Sequence, residues 1–197
     1  MSRNKPFKRI LIVCEGQTEY QYTLALKATL SREMQRGIQI QISFSSDTSA
    51  MQVVNEAREM EVQAKRDKNP FETIWLFFDH DNQPKLADVF TKIDKWGYFV
   101  AYSSICFEHW FLLFFEDNRR AHRNAVEVIN YLKQKHWPDY HKTKINHYEY
   151  LKDKLPQAKE RARFIKQQVD DTLPIYQCNP YFTVNELITF FEKLQDD

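Results

Sequence analysis

Ile10-Leu11-Ile12-Val13-Cys14-Glu15-Gly16 and Ile74-Trp75-Leu76-Phe77-Phe78-Asp79-His80-Asp81 decide the fold of this chain. Each stretch is a short apolar run, rich in β-branched and aromatic side chains, that ends on carboxylates. Such runs read as buried strands. A carboxylate at the end of a buried strand lies at the C-terminal edge of the sheet, where open α/β folds hold their ligands. Three acids converging there can hold a divalent cation, so metal-dependent phosphate chemistry is the first expectation.

Outward from these two strands the pattern alternates. A first strand over 8–14 and a turn at 15–17 lead into a helix over 18–30, where Thr18 and Gln21 have capping-box spacing. Residues 38–44, Ile-Gln-Ile-Gln-Ile-Ser-Phe, alternate strictly and predict a strand with one wet face, near a sheet edge. A long polar-faced helix follows over 49–68 and stops at Asn69-Pro70. A third strand over 72–78, a helix over 84–96 closed by Gly97, and a fourth strand over 98–103 complete the series. The order β-α-β-α-β-α-β implies right-handed crossovers, hence an α/β fold with a mostly parallel four-stranded sheet and helices on both faces. Beyond it, 107–116, 124–135, 148–151, 157–169 and 184–194 read as helical, with no further strand. The expected division is an α/β domain over 1–105 and an all-helical C-terminal extension over 106–197, packed on it.

At 197 residues, with 43% hydrophobic and 15% aromatic residues, the chain can bury a real core. The longest apolar run, Trp110 to Phe115, is far short of the roughly 20 residues a membrane span needs. The basic N-terminus has no signal-peptide pattern. Cys14, Cys106 and Cys178 are odd in number and widely spaced, which reads as reduced thiols in a cytoplasm. The net charge of +1 hides an asymmetry. Residues 119–166 hold 13 Lys and Arg against 5 Asp and Glu, a local +8, and four of the six histidines. A basic segment beside an acidic site suits a polyanion held near a metal, although lysine-rich helices are also commonly just solvated.

Asp79 and Asp81, two apart at a strand end, place both carboxylates on one side and His80 on the other. Close carboxylates persist when a cation, a shared proton or water relieves their repulsion. Hard oxygen donors favour Mg²⁺ or Mn²⁺. Glu15 is a further ligand or a general acid/base, and Gly16 permits positive φ or close approach of a phosphate. Glu19, one helical turn on, complements the helix N-terminus, as does Glu108 at the start of the aromatic helix. Glu108 can also add a carboxylate to the site or orient a Lys or Arg. In the basic segment Lys142, Lys144, Lys159 and Arg163 are the candidate phosphate contacts. GxGxxG, GxxxxGK[ST] and GxSxG are all absent, which argues against a glycine-loop nucleotide site or a nucleophile elbow.

A strand ending in Glu-Gly, then strand–helix units, then a strand ending in Asp-x-Asp resembles the Toprim fold. The stretches Leu-Ile-Val-Cys-Glu-Gly-Gln-Thr-Glu (11–19), Phe-Phe-Asp-His-Asp (77–81) and Ser-Ser-Ile-Cys-Phe-Glu-His-Trp-Phe-Leu-Leu (103–113) resemble the RloB-like family. So do Arg161-Ala162 and Asn179-Pro180 in the tail, so the likeness spans nearly the whole chain. It departs where the family has a His after the aliphatic run and this chain has Phe114 or Phe115. The resemblance implies a Toprim-type core and Mg²⁺ dependence, with Glu15, Asp79 and Asp81 as metal and catalytic residues. It also implies a place in bacterial anti-phage or restriction-linked loci. The expected activity is phosphodiester cleavage of DNA or RNA. The expected partners are nucleic acid and a protein encoded nearby, with homo-oligomerisation left open. The alternative is a non-catalytic defence module that binds a phage component, nucleic acid or partner protein.

Overall fold

Strand β1 (Lys8–Cys14) is buried on both faces because the sheet is covered on both. The structure is a computed structural model, and it describes residues 8–45, 49–170 and 172–196. The basic lead at residues 1–7 lies outside the described residues. Four parallel strands, β1, β2 (Ile38–Phe44), β3 (Thr73–Asp79) and β4 (Phe99–Ser103), stand in the order β2-β1-β3-β4. Cys14 registers with Phe77, and Asp79 with Ser103, so β1 and β3 are adjacent at the sheet centre and their C-terminal ends lie side by side.

Alternate residues of β1 enter two separate cores. Ile10, Ile12 and Cys14 pack with the core on one face, which contains Tyr22 and Leu26 of α1 (Gln17–Ala28). Leu11 and Val13 join Val53, Val54 and Ala57 of α3 (Ala50–Arg66) on the other, beyond the intervening α2 (Arg32–Gly37). Val89 and Ile93 of α4 (Leu86–Trp96) complete that second layer. Gly97 ends α4 at φ 69°, where the missing Cβ removes the left-handed penalty. On β2, Ile38 and Ile40 are buried while Gln39 and Gln41 are exposed, as strict alternation on an edge strand requires.

The helical half closes the first face. α5 (Phe107–Leu112) is buried along its whole length. Its Phe107 and Phe111 meet at 4.7 Å, and Phe107 packs edge-on against Phe77 of β3 at 4.9 Å. Around it stand α6 (Ala125–Lys135), α7 (His147–Leu151), α8 (Leu155–Gln168) and α9 (Val184–Asp196). Their apolar faces, including Leu132, Leu151, Ala162 and Leu187, join the same core as Ile10 and Ile12. Arg161 turns inward and donates to the Leu113 carbonyl at 2.6 Å. Cys14, Cys106 and Cys178 are all free and buried. Among the described residues no helix is long and apolar enough to cross a membrane.

Several local expectations are corrected. Thr18 does not cap α1; the cap position is Gly16, without a side-chain hydrogen bond. The Thr18 hydroxyl instead donates to the Lys142 carbonyl at 3.4 Å. Gly16 has φ −135°, extended backbone open to any residue, so positive φ is not its reason. A Cβ there would come within 2.8 Å of the Glu19 carboxylate, the far end of a flexible side chain. The aromatic helix α5 ends at Leu112 instead of running to 116.

Candidate functional site

The ends of β1 and β3 and the first turns of α1 and α5 together bring five carboxylates to one cavity. Pairing continues one residue past β1, where Glu15 N–H donates to the Phe77 carbonyl at 2.8 Å. That fixes the Glu15 side chain beside the end of β3. Its Oε2 accepts from Asp79 N–H at 3.1 Å and its Oε1 from Gln83 Nε2 at 2.5 Å. Asp79 Oδ2 in turn accepts from Phe107 N–H at 3.2 Å, at the start of α5. The α5 N-cap, Cys106, supplies no side-chain bond, so the carboxylate serves one of the exposed N–H groups of that turn. β3 stops at Asp79, and the chain then turns through Asp81 at φ 33° and Asn82 at φ 52°. Asp81 N–H is held by the Ile105 carbonyl at 2.8 Å.

Glu15, Gly16, Glu19, Asp79, Asp81 and Glu108 therefore line one cavity of about 260 Å³, together with Thr18, Lys142 and Thr143. Glu15, Glu19 and Glu108 are buried, and Asp81 is exposed at the mouth. Glu108 is tied from the segment after α6. Tyr140 donates its hydroxyl to Glu108 Oε1 at 2.7 Å, and the Lys142 ammonium stands 3.5 Å from the same oxygen.

Burial first, and this crowding second, set the protonation states. Burial, then the neighbouring Glu15, Glu19, Asp81 and Glu108 carboxylates, push the Asp79 carboxyl well above the usual range. Glu19 is pushed up to about 8, by burial first and then by Glu108 and Glu15, with Lys142 opposing. Burial pulls the Lys142 ammonium down, but the facing Glu108, Glu19 and Asp79 carboxylates outweigh it and hold it above the usual lysine range.

All donors here are hard oxygens, which is the chemistry Mg²⁺ and Mn²⁺ select. As they stand, no group of three His, Cys, Asp or Glu side chains among the described residues is gathered tightly enough to hold a metal ion. The Glu15 and Asp79 carboxylates are instead engaged with N–H donors. The donor chemistry fits such a cation, and closing around one requires side-chain movement.

The basic candidates divide. Lys142 lines the acidic cavity, and Lys144 lines an adjoining one with Gln17 and Gln21. Lys159 pairs with Glu192 of α9, and Arg163 is exposed on α8; neither lines the acidic cavity. Sequence reasoning missed Gln83 and Tyr140. Gln83 lies two residues past Asp81 in the same turn, and that proximity was its signal. Tyr140 carries no local signal.

A parallel α/β protein with a carboxylate cluster at the C-terminal edge of its two central strands, faced by one lysine, is the class that fold and cavity define. Residues 10–191 match the family model described as RloB-like protein, nearly the whole chain, and the chain belongs to the RloB-like family. No curated protein and no solved structure matches it.

Proposed function

We propose that this chain is a Mg²⁺- or Mn²⁺-dependent nuclease of Toprim type that cleaves phosphodiester bonds of nucleic acid in anti-phage defence. The observation that supports it is the gathering of Glu15, Glu19, Asp79, Asp81 and Glu108 around one cavity with Lys142 beside them. Carboxylates this crowded are relieved by a cation, and a cation beside a lysine suits a phosphodiester. Asp79, Asp81 and Glu15 would hold the metal. When bound, it would offset phosphate charge and lower the pKa of a water molecule.

The protein's own groups do the rest. Lys142, exposed at 58% of its side chain yet facing the cavity, binds a non-bridging phosphate oxygen. Glu108 and Tyr140 orient that lysine from behind. Glu19 keeps its carboxyl proton near neutral pH and can pass it to the departing oxygen. Glu15 is oriented by Asp79 N–H and Gln83.

The test is incubation of the wild type and Asp79→Asn with plasmid, single-stranded DNA, tRNA and rRNA, with Mg²⁺ or Mn²⁺. The expected result is metal-dependent cleavage of at least one substrate, reduced at least about 100-fold in Asp79→Asn. Binding of nucleic acid or a phage component without cleavage of any substrate would refute the nuclease and leave the non-catalytic module.

A further inference from the structure

The acidic cavity does not end at its lysine. It shares Gln17 and Thr143 with a second cavity of about 440 Å³, lined on one side by α1 and on the other by residues 143–147. The helix wall begins at Gln17, beside the carboxylates, and reaches Ala28. At about 1.5 Å per residue it is about 16 Å long, a groove leading away from the acidic site along α1. The facing segment divides between the two cavities. Lys142 lines the acidic one, Lys144 lines the groove, and Thr143 between them lines both.

The two cavities differ in charge. Lys142 is matched by the Glu108 carboxylate at 3.5 Å, whereas no carboxylate lines the groove among the described residues, so the Lys144 charge there is uncompensated. Gln17, Gln21 and Lys144 are all exposed, and among the described residues none of their side chains has a hydrogen-bond or ion-pair partner. Their polar ends are accessible to a ligand. Beyond them Leu24, Ala25 and Ile145, each half-buried, supply an apolar floor. A matching ligand carries an anionic group for Lys144, edges that both donate and accept for the glutamine amides, and an apolar face for the floor. A nucleotide has all three. A duplex keeps its base faces stacked inside, so only an unpaired base can lie on that floor.

We infer that this groove holds the unpaired nucleotides that adjoin the phosphodiester at the acidic cavity, so that the substrate is a single strand, or a single-stranded region, following α1. The inference rests on the nucleic-acid reading above and names its substrate class. Lys144 binds the phosphate next to the one at Lys142, and Gln17 and Gln21 meet the edges of the bases.

The test is fluorescence-anisotropy titration in Ca²⁺ with short DNA and RNA single strands and the duplex of each, on the full chain and three variants. The wild type is expected to bind at least one kind of single strand at least about tenfold more tightly than either duplex. A preference for the RNA or for the DNA strand supports the groove for that sugar, and equal binding supports it for both. Lys144→Ala should weaken single-strand binding several-fold and flatten its salt slope by about one unit. Ala28→Trp, at an exposed position on the helix wall, should fill the groove and weaken binding at least about tenfold. Gln21→Ala should change the order of preference among homopolymer strands. No single-strand binding by the wild type, equal or tighter binding of a duplex, or affinity unchanged in both Lys144→Ala and Ala28→Trp overturns the inference. Should Ala28→Trp fail to fold, unchanged affinity in Lys144→Ala with unchanged base preference in Gln21→Ala overturns it equally. Single-strand binding that falls in these variants without cleavage of any nucleic acid would keep the groove and remove the nuclease; cleavage by the wild type with binding unchanged in them would do the reverse.

Discussion

Glu19→Gln should stabilise the metal-free protein, and its pH dependence identifies the cause. The Glu19 carboxyl is pushed from 4.5 to about 8, so the folded state keeps a proton that the unfolded chain has released. The sign follows: with the folded pKa raised, stability is lost as pH rises from about 4.5 through about 8. At pH 7 the unfolded carboxyl is about 2.5 pH units past its pKa, worth about 3 kcal/mol at about 1.36 kcal/mol per unit. Water entering the cavity lowers this, so it is an upper figure. Glutamine keeps the neutral shape and carries no such cost. With ~2–4 °C per kcal/mol for a chain of this size, the melting temperature at pH 7 should rise by up to roughly 6–12 °C. The assay is thermal melting of both proteins in chelator across pH 4 to 9. The gain should vanish at the acid end and grow toward pH 8. A gain constant across that range, or a loss, would refute the idea that burial among carboxylates holds Glu19 protonated in the folded protein.

Three further outcomes are expected. Asp79→Asn should also stabilise the metal-free protein, while Asp79→Ala should be about 1 kcal/mol less stable than Asp79→Asn, because only Asn can still accept from Phe107 N–H; denaturant titration compares them. His109 is fully buried and pushed down to about 4 by burial and by His122, so its contribution is lost as pH falls from 6.5 toward 4. His80, His122 and His147 are also pushed down by burial, so in the Glu19→Gln/Asp79→Asn background, which removes two opposing carboxyls, denaturant titration should show a loss between pH 7 and pH 5 to which His109 contributes up to about 2 kcal/mol. Lys142→Ala should weaken nucleic-acid binding and flatten its salt slope by about one unit, whereas Lys159→Ala and Arg163→Ala should leave the slope unchanged, as binding titrations at several salt concentrations will measure.

What could be read from the sequence was what is determined locally. β1 and β3 are buried on both faces, and their apolar runs said so; β2 lies at an edge, and its Ile-Gln alternation said so. The grouping of Glu15 with Asp79 followed from two strand ends, and adjacency of β1 and β3 completes it. What failed depended on distant partners or weak patterns. Thr18 has capping-box spacing, yet its hydroxyl is claimed by Lys142, 124 residues away. Gly16 was read for positive φ or for approach of a phosphate, and its backbone is extended at φ −135°, so the first of these does not hold. α2 buries none of its residues, so it has no apolar period to find; it is marked only by Ser31 accepting from Met34 N–H at 3.2 Å. Tyr140 reaches Glu108 through tertiary packing alone.

The most direct test of the central claim is calorimetric titration of Mn²⁺ into the wild type and into Asp79→Asn/Asp81→Asn at pH 7. The account predicts saturable binding to the wild type, release of protons as Asp79 ionises, and at least about tenfold weaker binding in the double variant. Absence of binding to the wild type, or equal binding by both proteins, would contradict it.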